Sequence, residues 1–428
     1  MMSSTWLSVH GLVSISPGPL LGSTLALVVF WAMRDKRQRR LSWTSVPLPP
    51  RGYQHVPSTS TTQPLIRVEM TAEQPTEGSA AFHNWVFATT TRVHGKPWLL
   101  HRPGRPDVLV VSSPAAFEDI QRTFAVQFEK VDSDAEGLTH DVHGGVIALL
   151  YSGHVSPSVS MQRQLAAAVL GSPALRQQAS VLVKQHVDLL LSALNSNSAL
   201  DITKLMRQFS MEIFTELGFG LQLRSVPGEL IVWKLQRLLD IGSEAALSRS
   251  VDRRRQGDTP IAASRVDMLE LLLRQKCSSK SSKDPEFLAE FVLSLVVAAR
   301  DSMAHTLTYC LQCLAQHPEE QDKLISELKH AEKDGKDLQS VVRLEAVVKE
   351  TLRLYPAKPF VSRRAKLDTV LSDGTFVAAG TQVVMDLYSM ARRENVWGAN
   401  SSQFQPQRLI DTASDRAAHV HVLARISP

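Results

Sequence analysis

The spacing of apolar and polar positions divides the chain into three regimes. Residues 1–33 carry no Lys, Arg, Asp or Glu, and residues 11–33 are mainly apolar, most densely over 20–33. As a helix those residues span ~34 Å, enough for a bilayer core, although Pro17 and Pro19 weaken the first half. Arg34, Lys36, Arg37, Arg39 and Arg40 follow at once. A cleaved signal peptide carries its basic residues before the apolar stretch. Here they come after it, which predicts an uncleaved anchor with the rest of the chain on the cytosolic side. A signal peptide and a poorly structured leader are the alternatives. Val46-Pro47-Leu48-Pro49-Pro50 reads as a stiff spacer, and residues 58–78, polar and rich in Ser and Thr, read as linker or loop.

The middle of the chain is helical in period. After a short strand at 107–111, Ser113-Pro114 opens a helix with Ser as N-cap and Pro at the first position. Asp201 caps a stripe of Ile202, Leu205, Met206, Phe209, Ile213, Phe214 and Leu217, which Gly218 and Gly220 are predicted to end. A helix is predicted at 228–247 and a charged loop at 250–263. The strongest signal runs from Asp284-Pro285 to Gln316, about 33 residues and ~50 Å, much longer than an ordinary globular helix. It is apolar nearly all round over 291–299, so it should cross a large core. Helices at 318–332 and 338–354 follow, the second stopped by Pro356.

The third regime is strand-like. Residues 369–371, 375–378 and 381–387, with turns at Ser372-Asp373-Gly374 and Gly380, predict a small meander. The fold class is therefore mainly α with a small β part, and no internal repeat is visible.

Composition narrows the function classes. With 43% hydrophobic and 21% charged residues, the 428-residue chain can bury a sizeable core. Its net charge of +5 is concentrated in the run after residue 33 and in Arg253, Arg254 and Arg255. That suits a membrane surface or an acidic partner, and no aromatic-basic interleaving supports nucleic acid. Three cysteines, Cys277, Cys310 and Cys313, are too few for a disulfide framework. Cys310 and Cys313 form C-x-x-C, but late in a helical pattern without a second pair or a His cluster. They read as helix-packing residues, and no metal site is expected.

Two short stretches carry candidate chemistry. In Val297-Ala298-Ala299-Arg300-Asp301-Ser302-Met303, a carboxylate and a hydroxyl lie halfway along an otherwise apolar helix. Buried there, they are costly unless paired or functional. Alternatively, Arg300 and Asp301 lie on a solvated stripe with Ser302 bonded back to a carbonyl. Glu350 and Arg353, three apart in Lys349-Glu350-Thr351-Leu352-Arg353, share a helix face. Alone this pair says little, but its helix ends in Leu354-Tyr355-Pro356, leads into the meander, and is followed by Phe404-Gln405-Pro406-Gln407-Arg408-Leu409.

In order, spacing and intervening structure these stretches resemble the cytochrome P450 family. Residues 350–356 resemble its E-x-x-R helix, 404–409 its P-E-R-F segment, and 298–303 its oxygen-activating A-G-x-D-T-T stretch. Asn395-Val396-Trp397-Gly398 and residues 209–220 are similar to its long-chain fatty-acid ω-hydroxylase branch. The resemblance covers roughly residues 100–411 plus the anchor and hinge. It implies an N-terminal membrane anchor (1–33), a basic and Pro-rich hinge with linker (34–80), an incomplete cytochrome P450 domain (81–411) and a divergent tail (412–428).

The resemblance also assigns roles. Glu350, Arg353 and Arg408 would form a buried ion network behind haem, Asp301 and Ser302 would relay protons, and Arg163 would pair with a haem propionate. It implies a haem-thiolate monooxygenase of the endoplasmic reticulum membrane, hydroxylating a small lipophilic, fatty-acid-like substrate with O₂. Its electrons would come from NADPH–cytochrome P450 reductase. The departures are Val159 for the tryptophan expected before Arg163, Ala299 for the helix glycine, and Ser302 and Met303 for two threonines. Beyond Arg408 there is no cysteine where the family places its F-x-x-G-x-R-x-C-x-G haem loop. His419 and His421 in the tail lack the thiolate's push toward O–O cleavage. The fold is thus expected to be C-terminally truncated, and a non-catalytic remnant is the alternative to a working enzyme.

Overall fold

In the computed structural model, residues 65–70, 80–130, 157–194, 201–220, 266–274, 285–336 and 340–410 are described. The apolar segment, the proline spacer, the predicted helix at 228–247, the loop at 250–263 and the 412–428 tail lie outside these residues. In chain order the first half contains β1 (Ile66–Glu69), α1 (Ala80–Arg92), β2 (Trp98–His101), β3 (Val108–Val111), α2 (Pro114–Glu118) and β4 (Phe128–Lys130). Helices α3 (Pro157–Leu170), α4 (Pro173–Leu194), α5 (Ile202–Phe219), α6 (Met268–Arg274), α7 (Pro285–Gln316), α8 (Pro318–Lys333) and α9 (Val342–Leu354) come next. The last part holds β5 (Phe360–Ala365), β6 (Thr369–Val370), β7 (Phe376–Val377), β8 (Gln382–Asp386), α10 (Leu387–Met390), α11 (Glu394–Trp397) and a 3₁₀ turn at Pro406–Leu409.

Local chemistry sets most helix ends. Ser113 accepts a hydrogen bond from the Ala116 amide at 3.1 Å, and Asp201 accepts one from the Lys204 amide at 3.0 Å, each satisfying an otherwise orphan N–H. Gly220 closes α5 in the left-handed conformation, its N–H bonded to the Glu216 carbonyl. Gly218, predicted to help end that helix, instead lies inside it. A Cβ there would sit 2.8 Å from Val296 Cγ2 and 3.1 Å from Val292 Cγ1. This glycine thus lets α5 and α7 pack closely. Helix α7 runs unbroken for 32 residues between Pro285 and the stop at His317-Pro318. It is not buried all round: Phe291, Val292 and Val296 are in the core, but Ala298 is exposed.

The predicted meander is only half present. Strands β6 and β7 form a two-stranded hairpin, pairing Thr369 with Val377 and Val370 with Phe376. The third predicted strand, β8, leaves the hairpin for a six-stranded sheet of order β1-β2-β3-β8-β5-β4. There it runs parallel to β3 and antiparallel to β5. Its Val383 and Met385 are fully buried, as suits a central strand. Strand β1 occupies part of the predicted linker at 58–78 and pairs in parallel with β2.

The helices enclose the main core, built on Leu175, Leu182, Met206, Ile213, Leu217, Phe291 and Val292. A second core lies against the sheet around Phe117, Ile120, Val383, Met385 and Trp397, and a third sits under α1 around Phe82 and Trp98. Burying each such side chain stabilises the fold by about 1.5–3 kcal/mol. Among the described residues no helix is long and apolar enough to cross a membrane.

Candidate functional site

Helix α9 turns Glu350, Thr351 and Arg353 inward, whereas Glu345 and Lys349 pair at its outer side. Val347, Val348, Glu350, Thr351 and Arg353 are all buried, and Glu350 and Arg353 are both fully enclosed. Arg353 meets Glu350 as a fork, Nε to Oε2 and Nη2 to Oε1, each at 2.8 Å. Arg408 donates from Nε to Glu350 Oε1 at 2.9 Å, and the Gln405 amide donates to the same oxygen at 3.0 Å. The remaining guanidinium protons go mainly to backbone carbonyls, with Arg408 Nη2 also donating to Gln405 Oε1 at 3.3 Å. Arg353 bonds those of Ala391, Ser401 (2.6 Å) and Gln403 (3.2 Å), and Arg408 bonds those of Trp397 (3.0 Å) and Asn400 (2.7 Å). The Arg353 guanidinium carbon also lies 4.9 Å from the centre of the Trp397 ring.

One carboxylate and two guanidiniums thus organise residues 391–408, a segment with little ladder of its own. Burial of such charges is tolerated only with full pairing and bidentate geometry, and both are present. The structure therefore brings together Glu350, Arg353 and Arg408.

A second arginine junction was not visible in the sequence. Arg343 donates to Glu327 (2.7 Å) and Glu320 (3.0 Å) on α8 and to the Gln407 side chain (3.1 Å). It ties α8, α9 and the 3₁₀ turn together. Only the seven-residue spacing of Glu320 and Glu327 hinted at it. Arg392 is a third case: it lies 3.6 Å over the Tyr388 ring and donates to the Leu354 carbonyl at 2.7 Å. Burial lowers its pKa. Nearby, Asp386 caps α10 through the Ser389 amide, and burial pushes its carboxyl up to about 6.

Asp301 and Ser302 do not form a buried pair. Both are exposed, and Arg300 clamps Asp301 with two 2.9 Å hydrogen bonds. Ser302 Oγ donates back to the carbonyls of Ala298 (3.0 Å) and Ala299 (3.2 Å). This is the solvated-stripe geometry, and the buried arrangement is corrected by it. One turn on, His305 bonds the Tyr355 carbonyl through Nε2 at 3.1 Å, and burial lowers its pKa. Tyr309 stacks on Tyr355 with ring centres 4.4 Å apart. The Asp301 face of α7 is thereby joined to the end of α9. Arg163 lies on α3, but its side chain is outside the described residues.

The haem implied by the sequence resemblance requires a thiolate ligand, and the described residues do not fit it. Cys310 and Cys313 are buried between α7 and α9, both facing Thr351, and burial pushes each thiol up to about 12. Neither is available as a thiolate at neutral pH. Cys277 lies outside the described residues. Among the described residues no cluster of three or more His, Cys, Asp or Glu side chains could hold a metal ion.

Residues 229–421 match the family model described as Cytochrome P450. The chain is 31% identical to Cytochrome P450 94C1 of Arabidopsis thaliana over 58% of its own length and 59% of the relative's. It is 25% identical to Cytochrome P450 94A2 of Vicia sativa, over 82% of its own length and 76% of that protein's. With Alkane hydroxylase MAH1 of Arabidopsis thaliana it shares 30% identity over 42% of this chain and 40% of that one. The chain thus spans less than two thirds of the first and third of these relatives. Among solved structures, a crystal structure of a cytochrome P450, CYP102L1, superposes with a TM-score of 0.66 at 19% identity, covering 86% of this chain and 91% of that one.

Proposed function

We propose that this chain, which has the fold of a cytochrome P450 and matches the Cytochrome P450 family model over residues 229–421, is a member of that family and derives from a monooxygenase hydroxylating lipophilic, fatty-acid-like substrates. The observation that carries this reading is the buried network of Glu350, Arg353 and Arg408, which fixes residues 391–408 against α9. The name of one relative, Alkane hydroxylase MAH1, supports a lipophilic substrate. We assign residues 1–33 to a single-pass anchor in the endoplasmic reticulum membrane, 34–80 to a hinge, 81–411 to the cytochrome P450 domain and 412–428 to a divergent tail. NADPH–cytochrome P450 reductase is the proposed electron donor.

Asp301 and Ser302 are our candidates for proton traffic, and Arg163 for contact with a propionate. As the side chains stand, Asp301 is held by Arg300 and the Ser302 proton is committed to the helix. Proton transfer through them therefore requires that clamp to open.

A second reading concerns these 428 residues taken alone: they supply the scaffold and not the thiolate. The burial of Cys310 and Cys313, with no cysteine after Arg408, favours it. The reduced, carbon-monoxide difference spectrum of the expressed chain, supplied with haem, separates the readings. A thiolate Soret band together with turnover of a long-chain fatty acid supports a working enzyme. Absence of any haem band rules out catalysis by these residues.

A further inference from the structure

We infer that the junction between α1 and α10 is a pH-operated latch, tightest in mildly acidic solution and released on either side of it. One face of α1 makes the junction. His83, Asn84, Phe87 and Thr90 follow one another at helical spacing. The His83 ring lies edge-on to Phe360 of β5, with 5.3 Å between centres, and 5.7 Å from the Tyr388 ring on α10. The Tyr388 hydroxyl donates to Asn84 Oδ1 at 2.8 Å, and Phe87 packs on the edge of the same ring. Thr90 accepts from Trp98 Nε1 of β2 at 3.1 Å and lies beside Asp386, the N-cap of α10.

The junction encloses a cation. Arg392, just after α10, lies 3.6 Å over the Tyr388 ring and donates to the carbonyls of Tyr388 and Leu354, at 3.2 and 2.7 Å. Its charge acts on both His83 and Asp386, and that of Arg353 acts on it in turn. Helix α1 carries no acidic residue to offset it, and Arg92 at its end turns to Thr89 Oγ1. Arg393 is committed to the Gly95 and Ser112 carbonyls. His83 and Asp386 are therefore the groups whose protonation changes the charge at this contact.

They work in opposite directions. Burial, and then the Arg392 charge, holds the His83 imidazole below its ordinary 6.5. The docking it supports is present above pH 6.5 and is lost as pH falls through the lowered value, when a second cation forms beside Arg392. Asp386 Oδ1 accepts from the Ser389 amide at 2.9 Å, but its buried Oδ2 has no partner within hydrogen-bond reach. A carboxyl proton removes the buried charge and gives this oxygen a donor of its own. Burial accordingly pushes the carboxyl up from 3.8 to about 6. The docking it supports is complete below pH 3.8 and is lost as pH rises through about 6. Opening the junction lets water reach both groups, so closure is favoured most where the ring is neutral and the carboxyl protonated.

Hydrogen–deuterium exchange of the full chain, read by mass spectrometry and corrected for the intrinsic pH dependence of exchange, tests the latch. The peptide covering α1 is the reporter and that covering α9 the control. Protection of α1 should peak at about pH 5, fall roughly tenfold over a pH unit above 6, and fall again on further acidification. Protection of α9 should stay level over the same range. Asp386→Asn should flatten the alkaline limb alone. His83→Phe, which keeps a ring between Phe360 and Tyr388, should flatten the acid limb alone. An α1 profile without a maximum overturns the inference, as does one that α9 follows, and both outcomes are read on the parent chain even where a variant folds poorly. Limbs that persist in the matching variants overturn it too. The readout involves neither haem nor substrate, so the latch and the proposed function can fail separately.

Discussion

Arg408 reaches back 58 residues to Glu350 and contacts, at 2.9 Å, the same Oε1 that already accepts from Arg353. The carboxylate is therefore shared between the helix that carries it and the last described turn of the chain. With Glu350 fully buried, its replacement leaves two guanidiniums without their anion. Glu350→Gln is expected to destabilise the fold by about 3–5 kcal/mol, the cost of breaking a buried pair on one side. Arg353→Lys should cost nearly as much because a single ammonium cannot fill the fork. Arg408→Ala, at the partly exposed edge, should cost less. Urea unfolding of the three variants checks the ranking, and equal midpoints would contradict it.

At the crossing of α5 and α7 the tolerance is steric. Gly218→Ala adds a Cβ about 2.8 Å from Val296 Cγ2, closer than packed carbons approach. Overpacking of this kind costs about 1–3 kcal/mol. Val296→Ala should recover part of the loss in the double variant. Thermal melting of the two single variants and the double variant measures that coupling, and simple additivity would show that the two sites do not touch.

The long helix was readable because Pro285 and Pro318 bracket an apolar run too long for anything else. The Glu350–Arg353 pair was readable as a shared face, being three residues apart. The three carbonyls that Arg353 bonds were not, because Ala391, Ser401 and Gln403 lie on turns and irregular backbone whose path no periodicity encodes. Strands β1, β2, β4 and β5 escaped notice for a related reason. Each is three to six residues long, and β4 finds its partner β5 more than 200 residues away. Gly218 looked like a helix end because a glycine's local meaning and its packing meaning are indistinguishable without the neighbouring helix.

Thiol chemistry gives a sharper check on Cys310 and Cys313 as ligands. With both thiols pushed up to about 12 and enclosed between α7 and α9, Cys310 and Cys313 should resist alkylation in the folded chain at neutral pH. Both should react fully once urea unfolds it. Mass spectrometry of the peptides reports each site separately, and rapid native labelling of either would show an accessible thiolate that the packing does not provide.

Asp386 makes stability depend on pH in an uncommon direction. Its folded carboxyl, at about 6, lies above the ordinary value of 3.8 because burial opposes the charge. A raised folded value means that its stabilising contribution is complete below about pH 4 and is lost as pH rises through about 6. Asp386→Asn keeps an N-cap acceptor for the Ser389 amide and removes the titration. Relative to Asp386→Asn, the parent chain should therefore lose stability between pH 4 and 7, by roughly 3 kcal/mol for a shift of this size. Urea midpoints of the two proteins across that range test it, and parallel curves would mean that Asp386 does not titrate there.

Asp301 and Ser302 can be separated from the structural residues by what their removal fails to do. Both lie in solvent on α7, and exposed ion pairs such as Arg300–Asp301 contribute at most about 1 kcal/mol. Asp301→Asn and Ser302→Ala should therefore leave the thermal midpoint almost unchanged, in contrast to Glu350→Gln. If the pair carries protons, their effect belongs entirely to turnover, in a form of the protein that has acquired a thiolate ligand. The expected signature there is a loss of rate with substrate affinity retained, together with a solvent deuterium isotope effect larger than the parent's. A large drop in stability on either substitution would instead make these residues part of the scaffold, and the solvated stripe they occupy would need another explanation.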